Sequence, residues 1–389
     1  MFYQRSFFKP FQALALAKPA SGATLLIVTA LFLSACSGAG KRPDPVPLAA
    51  NVPLIGVKQA WVSRIGDVPA GAGPAVVGNT VVVAALDGTV AVIDAASGSD
   101  IWRSTAGAAL ATGAGSDGKL TSVITKGNEV VTFEAGKLLW KAKLPAQGFT
   151  APFVGGARVF VVLADKSVHA FDGVSGKKLW SQQRPSEPLV LSKPGTILAV
   201  GDTLVVGLGG RLVGLNPGNG SVRWETPIAS PRGTNDIERL VDLVGQVSRV
   251  GDVVCARAFQ AAVGCVNAAR GTLLWTKPAN GAEGVHGDVN LVFGAEADGK
   301  LVAWRRADGQ SAWASDRLQY RSLSAPLVVG RSVVIGDNSG NLHMLSREDG
   351  SPLNRLTTDG SAIVGNPVLA GDALIAVTKS GGVFGFRPE

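Results

Sequence analysis

The sequence predicts an all-β protein, an eight-bladed β-propeller of four-stranded antiparallel blades, from three observations. The composition favours short strands and turns, a tryptophan recurs about every forty residues, and a glycine-containing turn precedes most of those tryptophans. Of 389 residues, 46% are hydrophobic and only 17% charged, with 50 Gly and 21 Pro. That excludes disordered, coiled-coil and collagen-like chains, and glycines this frequent leave little room for long helices. Size alone permits a large buried core.

The first element is an address. Arg5, Lys9 and Lys18 are the only charged residues before position 36, and an apolar run from Ala23 to Ala35 follows them, broken only by Thr24, Thr29 and Ser34. Such a run is too short to cross a hydrocarbon core of about 30 Å, and the pattern of cations, apolar stretch and small residues describes an export signal over residues 1–35. Leu33-Ser34-Ala35-Cys36 resembles a bacterial lipoprotein box, which implies cleavage before Cys36 and acylation of its thiol. Acyl chains contribute about 0.8 kcal/mol per buried methylene, so lipidated Cys36 would tether the protein without spanning a membrane. By the same resemblance Ser37, where an Asp would favour inner-membrane retention, points to the periplasmic face of the outer membrane. Residues 36–57, with prolines at 43, 45 and 47, read as a flexible linker. The formal charge of +8 falls to +5 without the signal segment. No basic run or aromatic-basic module accompanies it, so no nucleic-acid partner is expected.

Residues 58–389 form the propeller. Trp61, Trp102, Trp140, Trp180, Trp224, Trp275 and Trp313 are separated by 41, 38, 40, 44, 51 and 38 residues. Ahead of them stand turns such as Asp94-Ala95-Ala96-Ser97-Gly98 and Asp172-Gly173-Val174-Ser175-Gly176. Upstream of each turn lies a hairpin, as around Asp87-Gly88, a two-residue hairpin signal. Three strands, a glycine turn and a fourth strand bearing Trp make one blade. Three-strand units start near Pro74, Ala108, Pro152, Pro194, Val244, Gly284, Pro326 and Pro367, giving eight blades. The repeat position after Trp313 is Asn354, and the remaining chain lacks a fourth strand. Trp61 has no three strands before it, so the N-terminal strand is expected to complete the last blade and hide its edge. A large side chain at one place in every blade is read as filler between blades rather than as a ligand platform. Trp304 is off this register.

Little in the sequence suggests catalysis. The run from Gly113 to Gly118 matches G-x-G-x-x-G but lacks a βαβ setting, and so reads as a turn. His169 and His343 share a third-strand position in different blades, and His286 is off register; all three are read as structural. No metal, cofactor or catalytic residue is assigned. Cys255 and Cys265 flank one hairpin in an oxidising compartment, a possible disulfide. A two-residue turn at Gln260-Ala261 would set the thiols on opposite faces, whereas a one-residue bulge would bring them together.

Two connections break the period: residues 184–196, with Leu189, Leu191 and Lys193, and residues 227–244, with Asp242. Each joins the outer strand of one blade to the inner strand of the next, so both emerge on one face, where they form a candidate protein-docking surface. The chain here resembles the BamB family of outer-membrane β-barrel assembly lipoproteins. The resemblance is carried most specifically by residues 233–243 and by the runs Leu318-Gln319-Tyr320-Arg321-Ser322-Leu323 and Gly336-Asp337-Asn338-Ser339-Gly340-Asn341-Leu342-His343. It implies a non-catalytic scaffold binding the periplasmic domains of BamA and other assembly subunits, with nascent outer-membrane proteins a further candidate partner. Leu189, Leu191 and Asp242 match the family's BamA-contacting Leu, Leu and Asp; its Arg is replaced by Ser192, with Lys193 one step on, and a second acidic position is Val244. The alternative classes are a periplasmic quinoprotein dehydrogenase, for which neither a Cys-Cys pair nor an acidic calcium cluster is visible, and a propeller binding glycans or peptides.

Overall fold

The computed structural model describes residues 43–183, 189–231 and 240–389. Cys36 and the loop residues Gly233 to Arg239 lie outside the described residues. From Pro45 onward the chain is one compact unit of eight four-stranded antiparallel sheets. Seven sheets are continuous in sequence, over residues 75–105, 115–143, 153–182, 197–227, 243–278, 286–315 and 327–357, and are called blades one to seven. Blade eight contains Val368–Ala370, Ala373–Val377 and Gly382–Pro388, and its outer strand is Val57–Arg64 from the N-terminal end. Val57 pairs with Pro388 and Arg64 with Gly382, so the ring closes as the sequence predicts.

The tryptophans work with the glycines of the turns. An added Cβ on Gly98, Gly176, Gly220, Gly271, Gly309 or Gly350 would strike the indole of Trp61, Trp140, Trp180, Trp224, Trp275 or Trp313 respectively, and one on Gly136 would crowd Trp102, always on the preceding blade. Gly98, Gly176, Gly220, Gly271 and Gly309 lie where the sequence predicts a turn glycine, whereas Gly136 and Gly350 do not; all seven have φ between +68° and +79°, a region favourable to Gly. Several indoles also donate to a carbonyl across the junction, as Trp140 Nε1 does to Gly173 O at 2.8 Å. Packing between blades is therefore the role of the repeat. At the remaining junction Asn354 replaces Trp, and its Nδ2 donates to Ile55 O at 2.9 Å where the chain enters blade eight.

Two expectations are corrected. The hairpins are mostly three-residue loops rather than two-residue ones: Ala84 pairs with Val90, so Leu86, Asp87 and Gly88 form the loop, with φ +103° at Gly88. Asp-Gly supplies the end of a type I turn plus a left-handed residue, which shifts the register by one. In blade five the loop is Phe259, Gln260 and Ala261, and Cys255 therefore faces Cys265 directly. The two form a disulfide.

The second correction concerns the segment expected to be a flexible linker, which from Val46 to Ile55 is a strap across blade seven. Val46 N–H donates to Gln319 O and Leu54 N–H to Leu353 O. Arg321, Arg355 and Arg331 donate to the carbonyls of Val46, Ala49 and Leu54 at 3.0, 3.1 and 3.0 Å. The strap forms no ladder with the blade, so these three carbonyls have no backbone partner there and the guanidiniums take them. Gln319 lies in the connection from blade six to blade seven, so the strap begins on the face that carries the inter-blade connections.

A smaller difference concerns blade two, whose inner strand, Gly115–Ser116, starts later than expected. Gly115 approaches Pro152 O too closely for any Cβ. The G-x-G-x-x-G match ends in the turn that follows, where Asp117 Oδ1 accepts from Leu120 N–H at 2.8 Å.

Candidate functional site

The inner strands surround a central cavity of about 730 Å³ lined by residues of all eight blades. Its groups are mostly backbone, Gly, Ala, Pro and Val. Among the described residues no cluster of three His, Cys, Asp or Glu has the geometry of a metal site. On the face with the inter-blade connections, Lys193 Nζ reaches Glu283 Oε1 at 2.6 Å, joining the connection before blade four to the one before blade six. His286, on the inner strand of blade six, accepts from Val328 N–H through Nδ1 at 3.0 Å. Burial, with Arg306 adding to it and Asp288 opposing, pushes the His286 imidazole down to about 4.

The other histidines have local partners. His169 Nε2 lies 2.9 Å from Ser167 Oγ, and burial lowers its affinity for a proton, against the pull of Asp165. His343 Nε2 lies 2.9 Å from Asp337 Oδ2. Burial alone would raise the Asp337 carboxyl, but hydrogen bonds from His343 and Asn341 win and hold it at about 2. His169 and His343 stand in the third strands of blades three and seven, too far around the ring to act together.

The two irregular connections do meet. Leu191 N–H donates to Asp242 Oδ2 at 3.1 Å across 51 positions of sequence. The other oxygen of Asp242 is 3.9 Å from Lys166 Nζ in the blade-three hairpin, and Asp242 O accepts from Phe259 N–H of the blade-five hairpin at 2.9 Å. Leu189 is exposed at 39%, while Leu191 is half-buried over a notch of about 60 Å³ that it lines with Val190, Lys166, Leu208 and Asp242. Asp242 thus faces the leucine connection from below. Lys193 points to Glu283 and the central cavity rather than outward with the leucines. Val244 is buried within blade five's inner strand. Sequence reasoning missed Lys166 and Glu283, because their partners come from other blades and no local pattern marks them.

The sequence comparisons point to one family. The sequence profile described as "Outer membrane protein assembly factor BamB" matches residues 58–112, 86–315 and 314–387. A protein of that name from Burkholderia pseudomallei is 39% identical over 364 residues, 92% of this chain and 96% of its own. The solved structure of BamB from Moraxella catarrhalis superposes with a TM-score of 0.78 at 21% identity, over 85% of this chain and 99% of its own. A quinohemoprotein alcohol dehydrogenase from Pseudomonas putida HK5 has a TM-score of 0.67 at 14% identity, over 89% of this chain and 78% of its own, a likeness of fold alone.

Proposed function

This chain belongs to the BamB family of outer membrane protein assembly factors, and from that premise we propose that it is a non-catalytic scaffold whose leucine connection docks a periplasmic domain of BamA. The observation that carries the reading is the Leu191–Asp242 hydrogen bond. It joins the two insertions on one face and leaves Leu189 exposed beside them, an apolar centre with charged groups around it, as docking sites are built. The contact is mainly apolar, since Asp242 and Lys193 already hold partners within the chain.

The same reading covers the tether. Cys36 carries the lipid, the protein sits on the periplasmic face of the outer membrane, and other assembly subunits gather on the scaffold. The strap that leads from the tether first meets the ring at Val46, whose N–H donates to Gln319 O in the connection before blade seven.

Leu191→Glu tests the proposal. It would bring a charge into the apolar contact without touching the blade cores. A pull-down with the periplasmic domains of BamA should lose most of its yield, with the thermal transition of the protein nearly unchanged. Undiminished capture by a folded variant would remove the leucine connection as the site.

A further inference from the structure

We propose that the groove between the strap and blade seven binds an amphiphile with one acyl chain and an anionic head, a carboxylate or a phosphate. The groove has a volume of about 410 Å³, within the range of about 300–1,000 Å³ usual for ligand sites. Its walls are apolar, with Leu48, Val52 and Leu54 on the strap and Leu345 and Pro352 on the blade. Val52 and Leu54 remain 69% and 61% exposed, so the rim of the groove presents apolar surface to solvent.

The charge of the lining selects the head. Arg317 and Arg355 line the groove and no Asp or Glu does, while His343, which also lines it, has its Nε2 engaged by the Asp337 carboxylate. Arg355 gives one Nη to Ala49 O, and neither arginine has a carboxylate partner among the described residues. An unpaired guanidinium beside an apolar surface suits an anionic head over an apolar tail. A peptide strand fits less well, because the Leu54 amide already occupies Leu353 O on the blade's outer strand, and Arg331 and Arg355 hold the carbonyls of Leu54 and Ala49. What remains to be filled is apolar volume. The groove is separate from the leucine connection, so it stands or falls independently of BamA docking.

The test uses the full chain in native membranes and palmitate with a diazirine near its methyl end as the probe. Photolysis should place label on peptides containing residues 48–54 or 345–352. Ala50→Trp, which fills the groove from the exposed side of the strap, should reduce labelling at least tenfold, and Arg317→Glu should reduce it similarly; both positions are exposed, and an unchanged thermal transition verifies the fold. Dodecyl phosphate should displace the probe, and dodecyltrimethylammonium should not. Label that is confined to other peptides, that survives Ala50→Trp in a folded protein, or that is displaced equally by the cationic amphiphile overturns the proposal.

Discussion

Replacing Gly176 by Ala isolates the contact on which the ring depends. Gly176 has φ +70°, and an added Cβ would stand 2.5 Å from Trp140 Cδ2. Gly201 has φ +57° with nothing within 4 Å, so Gly201→Ala meets the backbone cost alone. A left-handed conformation costs a non-glycine residue about 1–2 kcal/mol, and a stiffer unfolded chain returns about 0.4–1 kcal/mol in both variants. The clash at Gly176 adds an overpacking cost of about 1–3 kcal/mol. If the indole retreats, the Trp140–Gly173 hydrogen bond of 2.8 Å is strained as well, a loss of about 1 kcal/mol. Gly176→Ala should therefore be less stable than Gly201→Ala by about 2–4 kcal/mol. Urea unfolding followed by tryptophan fluorescence measures the difference, and adding Trp140→Leu to both variants should abolish most of it. Equal midpoints for the two single variants would refute the idea that indole on glycine sets the spacing of the blades.

Three further outcomes follow from single side chains. Asp242→Asn keeps an acceptor for the Leu191 amide but removes its charge and the weak pull on Lys166, so the loop should loosen by about 1 kcal/mol; partner affinity should fall by less than about tenfold, whereas a loss of a hundredfold or more in a calorimetric titration would mean that Asp242 touches the partner itself. His286 is neutral in both folded and unfolded chains above about pH 6.5. As the pH falls from there toward 4, the unfolded chain takes a proton that buried His286 refuses, so stability should drop by about 2–3 kcal/mol. His286→Gln should flatten that part of the urea midpoint against pH; an unchanged slope would contradict the burial of a neutral imidazole. Asp337, held at about 2, acts in a lower window: its contribution is complete above pH 4 and lost only as pH falls from there to about 2.

Features that repeat were legible in the sequence because each copy reports the same local requirement. Trp140 and Gly176 each have six counterparts, and the missing fourth strand after Asn354 announces closure by the N-terminal strand. Features that occur once were not. The strap across blade seven is held by arginines some 275 to 306 positions away, and nothing near Pro45 or Pro47 distinguishes a pinned segment from a free one. The hairpin register failed for a different reason. Asp87-Gly88 satisfies both a two-residue turn and the end of a three-residue loop, and only the pairing of the flanking strands chooses between them. The same ambiguity left the Cys255–Cys265 bond open in the sequence, and the register with Cys255 opposite Cys265 decides it. At the candidate site Leu189 and Leu191 could be singled out by their irregular setting, but the commitment of Lys193 to Glu283 could not, since it needs the ring to be built first.

The position of Asp242 explains why a face of loops can serve as a rigid platform. One residue is tied to three neighbours: its carboxylate to the Leu191 amide of the connection before blade four and to Lys166 of the blade-three hairpin, its carbonyl to Phe259 of the blade-five hairpin. Each tie is modest, about 1 kcal/mol for a neutral hydrogen bond and less for the long ion pair. Their value lies in what they share. The blades beneath are fixed by indole-on-glycine contacts, so a loop tied to three of them cannot move against one without straining the others. On the docking proposal, a partner meeting Leu191 would encounter a side chain whose backbone amide is already held by Asp242, so less of the apolar gain would be lost to ordering it. Repetition supplies the rigidity beneath these connections, and on the docking proposal it is the departures from the repeat that would give a partner something to recognise.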